Sequence, residues 1–163
     1  MIRALSGIYG GAMLSAAGEG GGGDPGDPPV IASFSQSTNY AGAGVQPASV
    51  ANMSDGLREP FAATISTPNQ YIQATLAESA YVTSVTLQGG TTTGGWGPTW
   101  TNGAKLQWTN DASPGPSSTW TDITTTAGFE DGLPQTIPVG ATCTALRLSR
   151  ATSYVVVGEF TVA

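Results

Sequence analysis

The chain has 163 residues, enough for one domain with a substantial core and too few for two. Its 23 glycines, 11 prolines and only 10% charged residues disfavour helix and favour strands joined by tight turns. A formal charge of -6 makes phosphate backbones and anionic lipid surfaces poor partners, which argues against nucleic-acid binding. A chain without histidine offers no Ser-His-Asp or Cys-His arrangement.

Residues 1–18 carry one arginine and a mildly apolar middle interrupted by Ser6, Gly7, Gly10 and Gly11. They are read as a retained N-terminal anchor peptide in preference to a cleaved export signal. No apolar run approaches the ~20 residues that cross a bilayer as a helix, so membrane insertion is not expected. Residues 19–29 follow as a linker: four consecutive glycines and then Asp-Pro repeats, a composition that buries nothing. The domain is expected to span 30–163.

Beyond Val30 the sequence consists of short alternating runs separated by turn residues, the pattern of an antiparallel sandwich. The first run is Tyr71 to Leu76. The second, Tyr81 to Leu87, places Val85 and Leu87 on one face and ends at Gly89-Gly90. In Lys105 to Thr109 the residues Leu106 and Trp108 share a face, and the run stops at Asn110-Asp111. Trp120 to Ile123 follows, with Trp108 and Trp120 both assigned to the core. Cys143 lies in an apolar stretch and reads as a buried, inert thiol. In Ala145 to Arg150, Leu146 and Leu148 share a face, while Arg147 and Arg150 read as partners of surface carboxylates. In the last run, Tyr154 to Val162, the apolar parity slips between Val157 and Phe160, which predicts a β-bulge at Gly158.

The order of these runs resembles the coagulation factor 5/8 type C, or discoidin, domains of the galactose-binding-like class. The resemblance rests on Ala51-Asn52-Met53-Ser54-Asp55-Gly56, on Gln70-Tyr71-Ile72-Gln73-Ala74-Thr75-Leu76 and on Val82-Thr83-Ser84-Val85-Thr86-Leu87. It continues through Leu106-Gln107-Trp108-Thr109-Asn110-Asp111 with Thr119-Trp120-Thr121-Asp122-Ile123, then Ala145-Leu146-Arg147-Leu148 and Gly158-Glu159-Phe160-Thr161-Val162. The family has a Trp shortly after the Asp-Gly turn; here the nearest aromatic is Phe61. The resemblance implies an all-β jelly-roll sandwich.

It also implies a structural calcium between Asp55 and Glu159, with backbone carbonyls completing about six to eight oxygen ligands. The competing reading has Asp55 capping its own turn and Glu159 pairing with Arg58 or facing solvent. The loop Thr91 to Asn102 holds Trp96 and Trp100 among residues too small to bury them. Trp96 and Trp100 are candidate stacking platforms for a sugar, with Asn102 as a hydroxyl partner; alternatively the rings close the end of the sandwich or pack on a neighbouring subunit. The adjacent pair Glu130-Asp131 reads as a solvated turn, so no catalytic residue is assigned.

These features together imply a non-enzymatic accessory structural protein of a large assembly, present in many copies, bound to its partners through residues 1–29 and displaying a glycan-binding sandwich. A bacteriophage virion, capsid or tail, is the expected setting. The alternative is a secreted bacterial carbohydrate-binding module with residues 1–18 as its export signal.

Overall fold

Threonine, valine and isoleucine in alternating runs fit a pleated, half-buried surface, and in the computed structural model the described residues form eight strands, with a 3-10 turn at Pro98–Trp100. The structure describes residues 28–40, 53, 62–90 and 97–163; the expected anchor 1–18 and nearly all of the linker 19–29 lie outside them. The strands are β1 (Ile31–Gln36), β2 (Ala62–Ala63), β3 (Gln70–Gln88), β4 (Lys105–Thr109), β5 (Thr121–Thr125), β6 (Pro134–Arg150), β7 (Val156–Val157) and β8 (Glu159–Val162). Every pairing among them is antiparallel.

The runs expected at Tyr71–Leu76 and Tyr81–Leu87 are two halves of one strand, β3, which pairs with β6 from Gln70↔Arg150 to Gln88↔Pro134. Near Gln70 the pair carries β1 on one side and β4, then β5, on the other. Near Gln88 it carries β8, at Val85↔Val162 through Gln88↔Glu159. One strand pair thereby contributes to both layers of a jelly-roll sandwich. Two register shifts separate the halves. Between Thr75 and Ala80, β3 advances five residues against two on β6, leaving Ala77, Glu78 and Ser79 exposed. Between Val82 and Ser84 the surplus lies on β6, at Val139-Gly140, where Gly140 has φ 66°. This second shift explains why Val82 is buried on one parity while Val85 and Leu87 are buried on the other.

The long β6 extends well before the expected Ala145 start, through Pro134 and Pro138. Proline lacks the donor a central strand requires. In the layer with β3 and β8, however, the first half of β6 pairs among the described residues on one side only, and an edge tolerates proline.

The irregularity predicted at Gly158 is real, but it is not a bulge within one strand. Val156 and Val157 pair with β2, whereas Glu159 to Val162 pair with β3, so the chain changes sheets at Gly158. Its amide donates to the Gln88 carbonyl at 2.8 Å. All of Val155, Val156 and Val157 are buried as a result, regardless of parity.

The layers meet on Ile72, Ala74, Leu106, Leu146 and Leu148 from one side and Val85, Leu87 and Phe160 from the other, all buried in a common core. Burying each large apolar side chain stabilises the fold by about 1.5–3 kcal/mol relative to exposure. Phe34 of β1 meets Phe160 edge-on at 5.9 Å between centroids. Cys143 is fully buried, and desolvation pushes its thiol up to about 11, consistent with an inert core residue. Trp108 packs partly buried against the core as expected; Trp120 does not, for reasons given below.

Phe160 is fully buried in the common core and meets Phe34 there. Phe160→Ala should therefore cost about 3–5 kcal/mol in urea unfolding, and a loss below about 1 kcal/mol would contradict this packing.

Candidate functional site

The face of the larger sheet opposite the core is built by register. Because Ile72, Leu106 and Leu148 point inward, their neighbours in sequence point outward. Gln73 lies opposite Arg147, Arg147 opposite Gln107, and Gln107 opposite Asp122, forming one row across β3, β6, β4 and β5. A register shift between Leu106 and Gln107, which skips Ile123, brings Asp122 into that row. The adjacent row contains Tyr71, Ser149 and Lys105.

Gln107, Arg147, Ser149, Asp122 and Lys105 form one hydrogen-bonded network. Gln107 Oε1 accepts from Arg147 Nε at 2.8 Å and from Ser149 Oγ at 2.7 Å, while Gln107 Nε2 donates to Asp122 Oδ1 at 2.5 Å. Asp122 Oδ2 accepts from Lys105 Nζ at 2.6 Å. The Arg147 guanidinium lies 4.1 Å from the Trp120 ring centroid and 5.9 Å from that of Tyr71, so aromatic groups flank it. Trp120 is held in turn by donation from its Nε1 to the Gly115 carbonyl at 3.1 Å. This is why Trp120 is absent from the core: it covers the outer face of the sheet and stacks on a cation there. The surface ion pairs expected for Arg147 and Arg150 are likewise corrected. Arg147 is engaged by an amide and two rings, and Arg150 donates to the carbonyls of Tyr154, Thr99 and Asn102.

Above this face lies a groove of about 700 Å³. Tyr71, Gln107, Arg147 and Ser149 line it together with Lys105, Arg150 and the turn Ala151–Ser153. Among the described residues, the non-glycine positions with positive φ are Asn69 (58°) and Ser153 (81°), and both line the groove. Backbone held in this sparsely populated region concentrates at ligand sites. Gly103, at φ 83°, also lines it; a Cβ there would lie 2.8 Å from Arg150 Nη2, so the glycine lets the guanidinium reach the loop carbonyls.

Of the expected sugar-binding residues, Trp100 and Asn102 are among the described ones. Trp96 and Asp55 are outside the described residues. Trp100 is partly buried and meets Tyr154 edge-on at 4.9 Å, and Tyr154 in turn meets Tyr40 at 5.9 Å. The Asn102 amide pairs with the backbone of Phe129: Oδ1 accepts from its N–H at 2.9 Å and Nδ2 donates to its carbonyl at 3.2 Å. Asn102 adjoins the groove through its carbonyl, which accepts from Arg150, and neither Asn102 nor Trp100 lines it. Glu159 opens β8 opposite Gln88, and as a carboxylate it has the oxygen chemistry calcium takes. Among the described residues, no three His, Cys, Asp or Glu side chains stand together as a metal cluster. Glu130 and Asp131 are exposed at a turn, as expected. Among the described residues no helix is long and apolar enough to cross a membrane.

The groove therefore belongs to a two-layered discoidin-like, galactose-binding-like β-sandwich. Solved structures with this fold include a fucolectin from striped bass serum (TM-score 0.65, 17% identity), which matches 80% of this chain but only 45% of its own. A family 32 carbohydrate-binding module of C. perfringens NanJ, in complex with galactose, aligns over 83% of this chain and 97% of its own (TM-score 0.56, 14% identity). An F5/8 type C domain from Bacteroides fragilis aligns over 85% and 97% (TM-score 0.61, 14% identity). No family model matches the sequence, and no curated protein is significantly similar to it.

The hydrogen bonds from Lys105 and Gln107 hold the Asp122 carboxyl below its ordinary 3.8. A lowered carboxylate contributes stability above its unfolded value and loses it as pH falls through the folded one; the pair is half-exposed, so solvent keeps that contribution small. A carbon-detected NMR titration should place Asp122 below 3.8, and Lys105→Met should raise it. An unshifted midpoint in both proteins would refute the network.

Proposed function

We propose that the chain is a non-catalytic carbohydrate-binding module whose sugar sits in the groove on the outer face of the larger sheet. The observation that carries this reading is the arrangement around Arg147: a planar guanidinium between Tyr71 and Trp120, beside the Gln107 amide and the Ser149 hydroxyl. A pyranose presents an apolar CH face and a rim of hydroxyls, and it is recognised by aromatic rings combined with fixed forks of donors and acceptors. The network gives those polar groups their positions before a ligand arrives, which lowers the entropic cost of binding. Glycoside hydrolysis in its usual form needs two carboxylates across the bond. Among the described residues no carboxylate lines the groove, and Asp122, which bonds to two of its lining residues, is held by Lys105 and Gln107. Fucolectin and galactose-bound structures of the same fold support the choice of ligand class.

On a glycan array the full chain should give a defined set of hits. Tyr71→Ala should weaken them about tenfold without changing the far-ultraviolet circular dichroism. An array with no hits would overturn the reading.

We further propose that residues 1–18 fasten the module to a larger assembly, with 19–29 as spacer and a phage virion as the setting. The support is compositional: a glycine and Asp-Pro tether lies between an apolar peptide and a low-charge domain. Many copies on one particle would turn weak single contacts into firm adhesion. Deleting residues 1–18 should abolish incorporation into particles and leave a folded, glycan-binding domain. Undiminished incorporation would contradict the anchor, and a mature protein beginning after residue 18 would favour the secreted module instead.

A further inference from the structure

The chain carries five lysines and arginines against eleven acids, yet Lys105, Arg147 and Arg150 all line one groove, and among the described residues no carboxylate lines it with them. Asp122 bonds Lys105, which leaves, among the described residues, a local excess of two positive charges in a molecule whose total is -6. We infer that the glycan taken by this groove is acidic, a pyranose bearing a carboxylate that docks on the Arg147 guanidinium; this rests on the glycan-binding reading above.

The donor inventory supports a carboxylate. Arg147 uses Nε on Gln107, and its terminal nitrogens have no hydrogen-bond acceptor among the described residues. A guanidinium edge with two parallel donors matches a carboxylate bidentately. Neither Arg147 nor Arg150 forms an ion pair with an acid among the described residues, so both charges act on the groove. Arg150 spends its donors on loop carbonyls and contributes field without a free fork. Burial disfavours the charged form of both arginines; for Arg147 only Tyr71 and Asp122 oppose this. A ligand carboxylate would offset the desolvation of Arg147. A neutral sugar would need the fork but would leave the excess charge unanswered. The negative remainder of the protein repels acidic polymers elsewhere, so such a ligand is drawn to this face.

The test titrates the full chain with galacturonate, glucuronate and mannuronate oligomers, each beside its methyl ester, by calorimetry at low salt. At least one acid should bind about tenfold tighter than its ester, and that advantage should shrink as salt is raised. Arg147→Met should bring acid and ester to the same affinity. The wild-type acid-to-ester ratio and its salt dependence decide the matter even if the variant fails to fold. Equal affinity of acid and ester, or acid binding that Arg147→Met leaves intact, overturns the inference. Binding of neutral glycans without acid binding overturns it too and leaves the module reading standing. Absence of binding to any glycan removes both.

Discussion

The pairing of β3 with β6 is the constraint on which the molecule depends. Because side chains alternate across a strand, the register that sets Ile72 beside Leu148 also sets Gln73 beside Arg147. Core and groove are two faces of a single alignment. A slip of one residue would carry Arg147 into the apolar interior and Leu148 into the groove, with charge burial and lost apolar burial acting together against it. The pairing of β4 on β6 repeats the rule, placing Leu106 inside and Gln107 outside.

Gln107 is the element that turns this face into a site. Its carbonyl oxygen accepts two hydrogen bonds and its amide nitrogen donates one, so both ends of a neutral side chain are committed. The oxygen aligns Arg147 from beneath while Trp120 and Tyr71 flank it, and the nitrogen ties the row to Asp122 and Lys105. Buried polar networks are worth most when every member is satisfied, and Gln107 is only 8% exposed. The covering residues come from the connection between β4 and β5, where the Pro114 carbonyl accepts from Gln73 at 3.5 Å and Gly115 holds the indole of Trp120.

Much of the fold was legible in the sequence because it rests on local alternation. Leu106 with Trp108, Leu146 with Leu148, and Val85 with Leu87 all face the core as their spacing required. The apolar parity of the last run also marked a real discontinuity, although alternation cannot distinguish a bulge from a change of sheet at Gly158. The first half of β6 was hidden by Pro134 and Pro138, whose tolerance depends on an edge, unpaired among the described residues, that appears only in three dimensions. The groove was hidden for a related reason: Tyr71, Gln107 and Arg147 are distant in sequence, and only the strand register aligns them. An outward Arg147 between two inward leucines was the available signal, and it reads equally as solvated charge. Trp120 was misassigned because a large aromatic next to a strand usually enters the core, whereas here a cation offers it a partner outside.

The excursion at Ala77, Glu78 and Ser79 has a consequence for how the domain can vary. These three exposed residues of β3 have no register partner on β6, and pairing with β6 resumes at Ala80↔Cys143. Strand length at this point is thereby uncoupled from alignment on either side. Descendants of this chain can gain or lose residues there, or accept a grafted segment, while both halves of the long strand keep their partners.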